Sequence, residues 1–549
     1  MMSVRNSAIT GLFTLVLTAA VGMPALAQTN KGYSGVVEGV ISNSSGQPVA
    51  GAFVKLKNAE RRLTFMVISQ DQGRFTATKL PPGNYMVQGV GGDFQSKWSA
   101  PLTLTGQGPA KLNISLTDTR APNLPAAWPR RLPEEQAASV SLPDGPGKKI
   151  IAEHCVSCHA EGQVAINRLT RAAWKTTIED MRGNMKDANL ADMSDKDADT
   201  LLDYLAKNLT PLPPPDPNSR FPRTLMQGEA RKYRMVEYDL VNAGAETHDI
   251  AVDPQGIGWA NQRLGGKIGR LDPETLAYSE ISPPLTTAKQ ARPGNLQISA
   301  QGVMWLPDPN EKRWLSYDIK AAKWTSWPFP STVRGQPNGN SMALGSDGTV
   351  WNSGPGSARR LNPATKEWSS WDSPTWKRTH VNPGGYGIAI AGDGRVWFAE
   401  NLVDRMARVD PKSGTVDEFK IPVQGIAYPR RMSADPAGDI WVGLWQAGKL
   451  MKIDQHTGAM TIIDPPTPGS GAYSISFDKK RDLLWITLHR VDKIARYNPK
   501  TKEWVEFPLP QAETDVRRVE VDQNHPNRIW WSSVSNQARM GFVELLDDE

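Results

Sequence analysis

Both cysteines of the 549-residue chain fall in one run, Cys155-Val156-Ser157-Cys158-His159. C-x-x-C-H is the spacing at which two thiols form thioethers with the vinyl groups of a haem while the adjacent imidazole ligates its iron. Cys155, Cys158 and His159 are therefore read as the attachment site of one covalent haem c, with His159 as an axial ligand. A structural zinc site would need two further ligands nearby, and no third cysteine exists. A thioredoxin-like redox pair would not need the histidine and would sit in a βαβ pattern that this region lacks. The second axial ligand should be Met or His. No histidine follows His159 until His248, which leaves Met181, Met185 and Met193.

The elements around this run must export it, hold it and connect it. Arg5 precedes an apolar stretch over residues 9–21, and Pro24-Ala25-Leu26-Ala27 supplies a small-residue cleavage site. Residues 1–27 read as a signal peptide, so the expected location is the periplasm, where covalent haem attachment takes place. No later segment offers a long charge-free apolar run, and no transmembrane segment is expected in the mature chain. The net charge is +6, with basic residues scattered among acidic ones, which argues against a nucleic-acid footprint.

The spacing of strands, turns and prolines predicts a multidomain chain: an N-terminal all-β sandwich over 33–118, a Pro-rich linker over 119–142, a small all-α domain over 143–209, a second Pro-rich linker over 210–231, and a seven-bladed β-propeller over 232–546. Period-two alternation and Gly/Pro turns predict an antiparallel sandwich. Its Gly46-Gln47-Pro48-Val49 to Val54 strand pair and Leu80-Pro81-Pro82-Gly83-Asn84-Tyr85 turn resemble the carboxypeptidase regulatory-like domain, which implies a docking or spacing role. In the haem segment, Trp174, Ile178 and Met181 follow a helical period, and Ser194 to Asp197 opens a second helix in the manner of a capping box. The helix end Leu202-Asp203-Tyr204-Leu205-Ala206 resembles the last helix of class I cytochromes c. The spacing from Trp174 to Met181 resembles small cytochromes in which that methionine binds iron, so Met181 joins His159 as an expected haem ligand.

The propeller announces itself through Trp259, Trp305, Trp351, Trp397, Trp441, Trp485 and Trp530, spaced 46, 46, 46, 44, 44 and 45 residues apart. The last repeat lacks a fourth strand, and residues 233–238 supply a spare one, so the two ends of the array should share a blade. The array resembles the streptogramin B lyase (virginiamycin B lyase) family of propellers, which eliminate rather than hydrolyse with the help of Mg²⁺. The resemblance implies that Glu246-Thr247-His248 stands for the family's Glu-x-His, with His248 as general base. It also implies that Trp259-Ala260-Asn261-Gln262 stands for Trp-Phe-Thr-Glu. Gln262 replaces a metal-binding Glu, and a neutral amide is a poor ligand for a hard cation. Glu400 restores that Glu on another blade, so Glu246, Gln262 and Glu400 are the Mg²⁺ candidates.

Counted round the ring, the His248 position is filled by Gly294, Asn340, Tyr386, Arg430, Tyr473 and Arg517. One mouth of the channel should therefore be polar, with His248, Glu246, Tyr386, Arg430 and Arg517 as candidate catalytic residues. Such a mouth suits an anionic or phenolic small molecule. Arg430, Arg431, Arg517 and Arg518 are the side chains that could hold a quinone. His380, His456, His489 and His525 are expected in dispersed loops. The expected function is a periplasmic oxidoreductase that oxidises a small organic substrate at this mouth and passes electrons through the haem to a redox partner protein. A non-enzymatic electron-transfer and docking protein, or a streptogramin-type C–O lyase with a tethered cytochrome, remain as alternatives.

Overall fold

The structure, a computed structural model, describes residues 32–106, 108–126, 140–156, 161–187, 190–213, 215–337, 339–534 and 537–546. The expected signal peptide, Cys158 and His159 lie outside the described residues. Most of the chain is β-structure in several sheets, and among the described residues no helix is long and apolar enough to cross a membrane.

The C-terminal region is a ring of four-stranded antiparallel sheets. Six are built from consecutive strands, beginning with Ile250–Val252, Gly258–Gln262, Lys267–Leu271 and Tyr278–Ile281. The seventh combines Val516–Val521, Arg528–Ser533 and Arg539–Leu545 with Tyr233–Asp239 from the start of the region. Numbering these sheets as blades 1 to 7, the innermost strand of each touches the next, and that of blade 7 touches that of blade 1, closing the ring. The periodic tryptophans explain how neighbouring blades adhere. Each sits on the second strand of its blade and packs into the core of the following one: Trp397 against Ile440 and Val442, Trp441 against Ile475 and Phe477, Trp530 against Ile250 and Ala260. At the last junction a Cβ on Gly258 would lie 2.4 Å from the Trp530 ring, so glycine is required for that approach.

The N-terminal domain is two packed sheets. Its first strand, Gly35–Asn43, pairs antiparallel with Arg74–Leu80 but parallel with Ala110–Lys111 and Ile114–Leu116. The sandwich is thus mixed rather than antiparallel throughout, because the chain crosses over before its closing strand. Its other sheet ends at Leu63–Ile68, which pairs with Tyr233–Asp239 from Tyr238↔Leu63 to Arg234↔Val67. One ten-stranded sheet therefore runs from the sandwich into blade 7, and both share a core that includes Phe65, Tyr85, Val236 and Phe542. Pairing removes the open edge that a closing strand would otherwise present. The charges on that strand are matched: Arg234 meets Glu544 at 2.7 Å and Glu237 meets Arg539 at 3.4 Å.

Between these parts lies a small helical domain with helices α1 (Pro146–Ile150), α2 (Glu161–Ala165), α3 (Arg171–Asp187) and α4 (Asp195–Asn208). Pro146 opens α1, and a π-type turn over Ile151–Cys155 follows it. Ser194 caps α4 by accepting from the Asp197 amide at 3.1 Å. Gly147 lies under the Tyr204 ring, which lets α1 and α4 cross closely. Ile150, Ile151, Trp174, Ile178, Leu201, Leu202, Leu205 and Met193 fill the core. The segments leading into and out of this domain meet at its root. Leu124 donates to the Ser219 carbonyl at 3.0 Å. Arg120 holds the carbonyls of Gly92, Asn218, Phe221 and Pro222.

Candidate functional site

The site is assembled where the innermost strands of the propeller begin. Residues two places before the His248 register bend the chain there. Glu246, Tyr428 and Asp515 take φ near +55°, +51° and +53°, while Gly384 and Gly471 reach the same left-handed region without a Cβ. Register shifts in the innermost strands of blades 5, 6 and 7, at 429/432, 472/475 and 516/518, then alter which side chains face the channel.

Arg431, not only Arg430, enters the channel as a result. It reaches from blade 5 to blade 1, where its two terminal nitrogens face the Asp249 carboxylate at 2.8 and 2.9 Å. The same side chain lies 3.0 Å from His248 Nδ1, whose other neighbour is Asp249 Oδ2 at 2.8 Å. Nε2 is the ring nitrogen that neither partner engages. Burial pushes the His248 pKa down to about 3, against the pull of Asp249 and with help from Arg263 and Arg431, so the imidazole is neutral at physiological pH. Burial works the other way on Asp249, but the Arg431 guanidinium overrides it and holds the carboxyl below its usual range.

A second cluster joins blades 4 to 7. The hydroxyls of Tyr386 and Tyr473 are hydrogen-bonded and their rings meet edge to face at 5.8 Å. Tyr473 stacks on His489 at 5.0 Å. His489 Nδ1 accepts from Trp445 Nε1 at 3.2 Å and its Nε2 donates to Asp515 at 2.6 Å, which fixes the tautomer because the indole can only donate. Arg517 pairs with the same Asp515 and lies 3.4 Å from the Tyr473 hydroxyl. Burial opposes ionisation of Tyr473, yet Arg517, Arg430 and Arg431 together bring its pKa below the ordinary phenol value, whereas burial raises that of Tyr386. Arg430 is boxed by rings, its guanidinium carbon 4.2 Å from the centroid of Tyr386, 4.4 Å from Tyr428, 5.0 Å from Tyr473 and 5.2 Å from Trp445.

His248, Tyr386, Arg430 and Arg517 thus belong to one connected set of side chains, with Glu246 at its rim. Asp249, Arg431, His489 and Asp515 belong there too, though the sequence reading placed His489 in a dispersed loop. The proposed Mg²⁺ trio does not assemble. Gln262 spends its amide on Tyr278 and Glu280 inside blade 1, at 2.9 and 2.8 Å. Glu400 is buried inside blade 4, where burial, opposed by Ser373 and aided by Glu418, pushes its pKa up to about 8 and keeps it protonated at neutral pH. Among the described residues no three His, Cys, Asp or Glu side chains converge as a metal site. The arginines expected around a quinone are mostly committed: Arg431 to Asp249, Arg517 to Asp515, Arg518 to Glu520.

The helical domain meets the propeller at this same end. Asp180 on α3 accepts from Arg292 at 2.5 Å and lies 3.6 Å from Arg263. These ion pairs join the helical domain to the ring. Arg292 occupies the Glu246 register on blade 2, and Arg263 is within electrostatic range of Glu246, Asp249 and Tyr386. The neighbour of Asp180 is Met181, which is 38% exposed, whereas Met185 and Met193 are buried. Cys155 is half-buried against the helical core. A thiol beside the core and a methionine thioether not spent on packing suit a haem. Neither the docking contact nor Asp180 carries a local sequence signal.

Comparison with known proteins supports the three regions separately. The carboxypeptidase regulatory-like domain matches residues 36–117, the subunit III family of cbb3-type cytochrome c oxidase matches 144–205, and the virginiamycin B lyase family matches 332–545. A catalytically inactive virginiamycin B lyase from Staphylococcus aureus, solved with quinupristin, is similar at 20% identity and TM-score 0.50, covering 57% of this chain and 100% of that one. A streptogramin B lyase structure is similar at 19% identity and TM-score 0.50, covering 58% and 100%. At this identity the likeness concerns the propeller fold. No curated protein matches the chain. The chain therefore has a cytochrome c-type domain, which implies haem, beside a lyase-like propeller.

Proposed function

We propose that the protein is an exported haem oxidoreductase that holds a small organic donor at the propeller mouth and delivers its electrons to the cytochrome domain docked there. The observation that carries this reading is the Asp180 contact: the helix bearing Met181 is fastened to Arg292 and Arg263, at the end of the ring where His248, Tyr473 and Arg430 gather. Cys155, Cys158, His159 and Met181 would hold one covalent haem. Bound there, it supplies a one-electron acceptor and an outlet to a partner protein.

The chain's own residues supply the rest. His248 is neutral and presents Nε2, so it can take the proton that a phenolic donor releases as it gives up one electron, the number that a single haem accepts. With Nε2 free to accept, Nδ1–H donates to Asp249, and Arg431 holds that carboxylate in place. Arg517 favours negative charge developing on the donor oxygen. The elimination chemistry of the lyases finds less support, because Gln262 and Glu400 are turned into their blades.

The test uses the exported protein with haem inserted, offered candidate donors without any other enzyme while the reduced haem spectrum is followed. Reduction that His248→Ala slows by about 100-fold or more supports the reading. Reduction obtained only from another protein, with every small donor inert, refutes it.

A further inference from the structure

Among the described residues, Arg430 at the mouth has no carboxylate partner. Arg263 and Arg292 share Asp180, Arg431 has Asp249, Arg517 has Asp515 and Arg518 has Glu520. Arg430 is 6% exposed, and among the described residues its guanidinium meets only aromatic rings, with Nε buried and without a hydrogen-bond partner. The four rings offset part of the desolvation of the cation through their faces, but they leave its in-plane N–H donors unused. The Tyr473 hydroxyl is turned to Tyr386 and Arg517 instead.

We propose that Arg430 is the receptor for the carboxylate of a conjugated monocarboxylic acid, which names the substrate class of the mouth and rests on the reading of that mouth as the substrate site. A carboxylate takes two parallel N–H bonds from a guanidinium fork, which a single phenolate oxygen cannot do. One unit of negative charge balances one arginine without a carboxylate partner, whereas a phosphate dianion would leave an excess. The rings of Tyr386, Tyr428, Trp445 and Tyr473 around the guanidinium offer a flat, conjugated body stacking or edge-to-face contact.

Calorimetric titration of the haem-loaded protein with benzoate and cinnamate, with benzamide and inorganic phosphate as comparators, tests this. Both carboxylates should bind about tenfold or more tighter than benzamide or phosphate. Arg430→Gln should remove that advantage, and Arg430→Lys should retain part of it. No saturable binding of either acid, benzamide binding as tightly as benzoate, or undiminished benzoate binding by Arg430→Gln would each overturn the proposal. The benzoate–benzamide comparison needs no variant, so it stands even where Arg430→Gln fails to fold. Carboxylate binding without haem reduction by any conjugated acid keeps this inference and sinks the oxidoreductase reading. Haem reduction by neutral donors without carboxylate binding does the reverse.

Discussion

Replacing Asp180 should loosen the cytochrome domain from the propeller without damaging either. The Asp180 side chain is 31% exposed and its partners Arg292 and Arg263 are 17% and 18% exposed, so the pairs are neither buried nor fully solvated. A charge-assisted hydrogen bond like that to Arg292 contributes about 1.5–3 kcal/mol when buried and an exposed pair about 0.2–1 kcal/mol. An intermediate figure of about 2 kcal/mol for Arg292, with the 3.6 Å contact to Arg263 adding a few tenths, corresponds to roughly 30- to 50-fold in the ratio of docked to undocked protein. Asp180→Asn keeps a neutral acceptor and should lose only about half of that free energy. Asp180→Arg loses all of it and sets three guanidiniums together. Small-angle scattering between about 0.02 M and 0.5 M salt reads the outcome, because the Debye length shrinks from well above the contact distance to a few ångströms. The native protein should keep its radius of gyration to higher salt than Asp180→Asn, and Asp180→Arg should be expanded throughout. The haem spectrum of each variant checks that the helical domain remains folded. An unchanged radius and an unchanged salt response for Asp180→Arg would refute the docking argument and, with it, the observation on which the proposed function stands.

Two predictions concern the ring itself. Gly258→Ala places a methyl 2.4 Å from the Trp530 ring and should cost about 1–3 kcal/mol, read as a lower Tm of the propeller transition in calorimetry, with the haem domain's transition unmoved; an unshifted transition would mean the blade 1–blade 7 junction is slack. Glu400 is protonated in the fold up to about pH 8 but ionises near pH 4.5 when unfolded, so the native state binds the extra proton between those values. Its contribution is complete below pH 4.5 and is lost as pH rises through 8, at about 1.4 kcal/mol per pH unit. Glu400→Gln should therefore flatten the fall in Tm between about pH 6.5 and 8 relative to the native protein, and an identical fall in both would show that Glu400 is already ionised.

The sequence by itself determined everything carried by short-range pattern. The tryptophan period set the blades, since each blade is one local supersecondary unit and each Trp serves the same junction. The spare strand at residues 233–238 closed the ring because the last repeat visibly lacked one. The run from Cys155 to His159 pointed to haem, in agreement with the cytochrome match over residues 144–205, because the two thiols and the histidine of an expected attachment site fall in five consecutive residues. The tertiary structure decided what depends on residues far apart in the chain or on a local departure from alternation. Strict counting put Arg430 in the His248 register, and a bulge brought in Arg431 as well. A left-handed turn at Asp515 aims its carboxylate at His489, which sequence position alone left in a loop. Register also misled at Gln262, whose amide is spent inside its own blade, and at Glu400, which is buried inside its blade and kept protonated by that burial. The edge of the sandwich is spent on strand Tyr233–Asp239, a pairing across some 170 residues. Asp180 meets Arg292 across 112 residues and two domains. No periodicity reports such encounters, because the free energy that selects them comes from surfaces that exist only after each domain has folded.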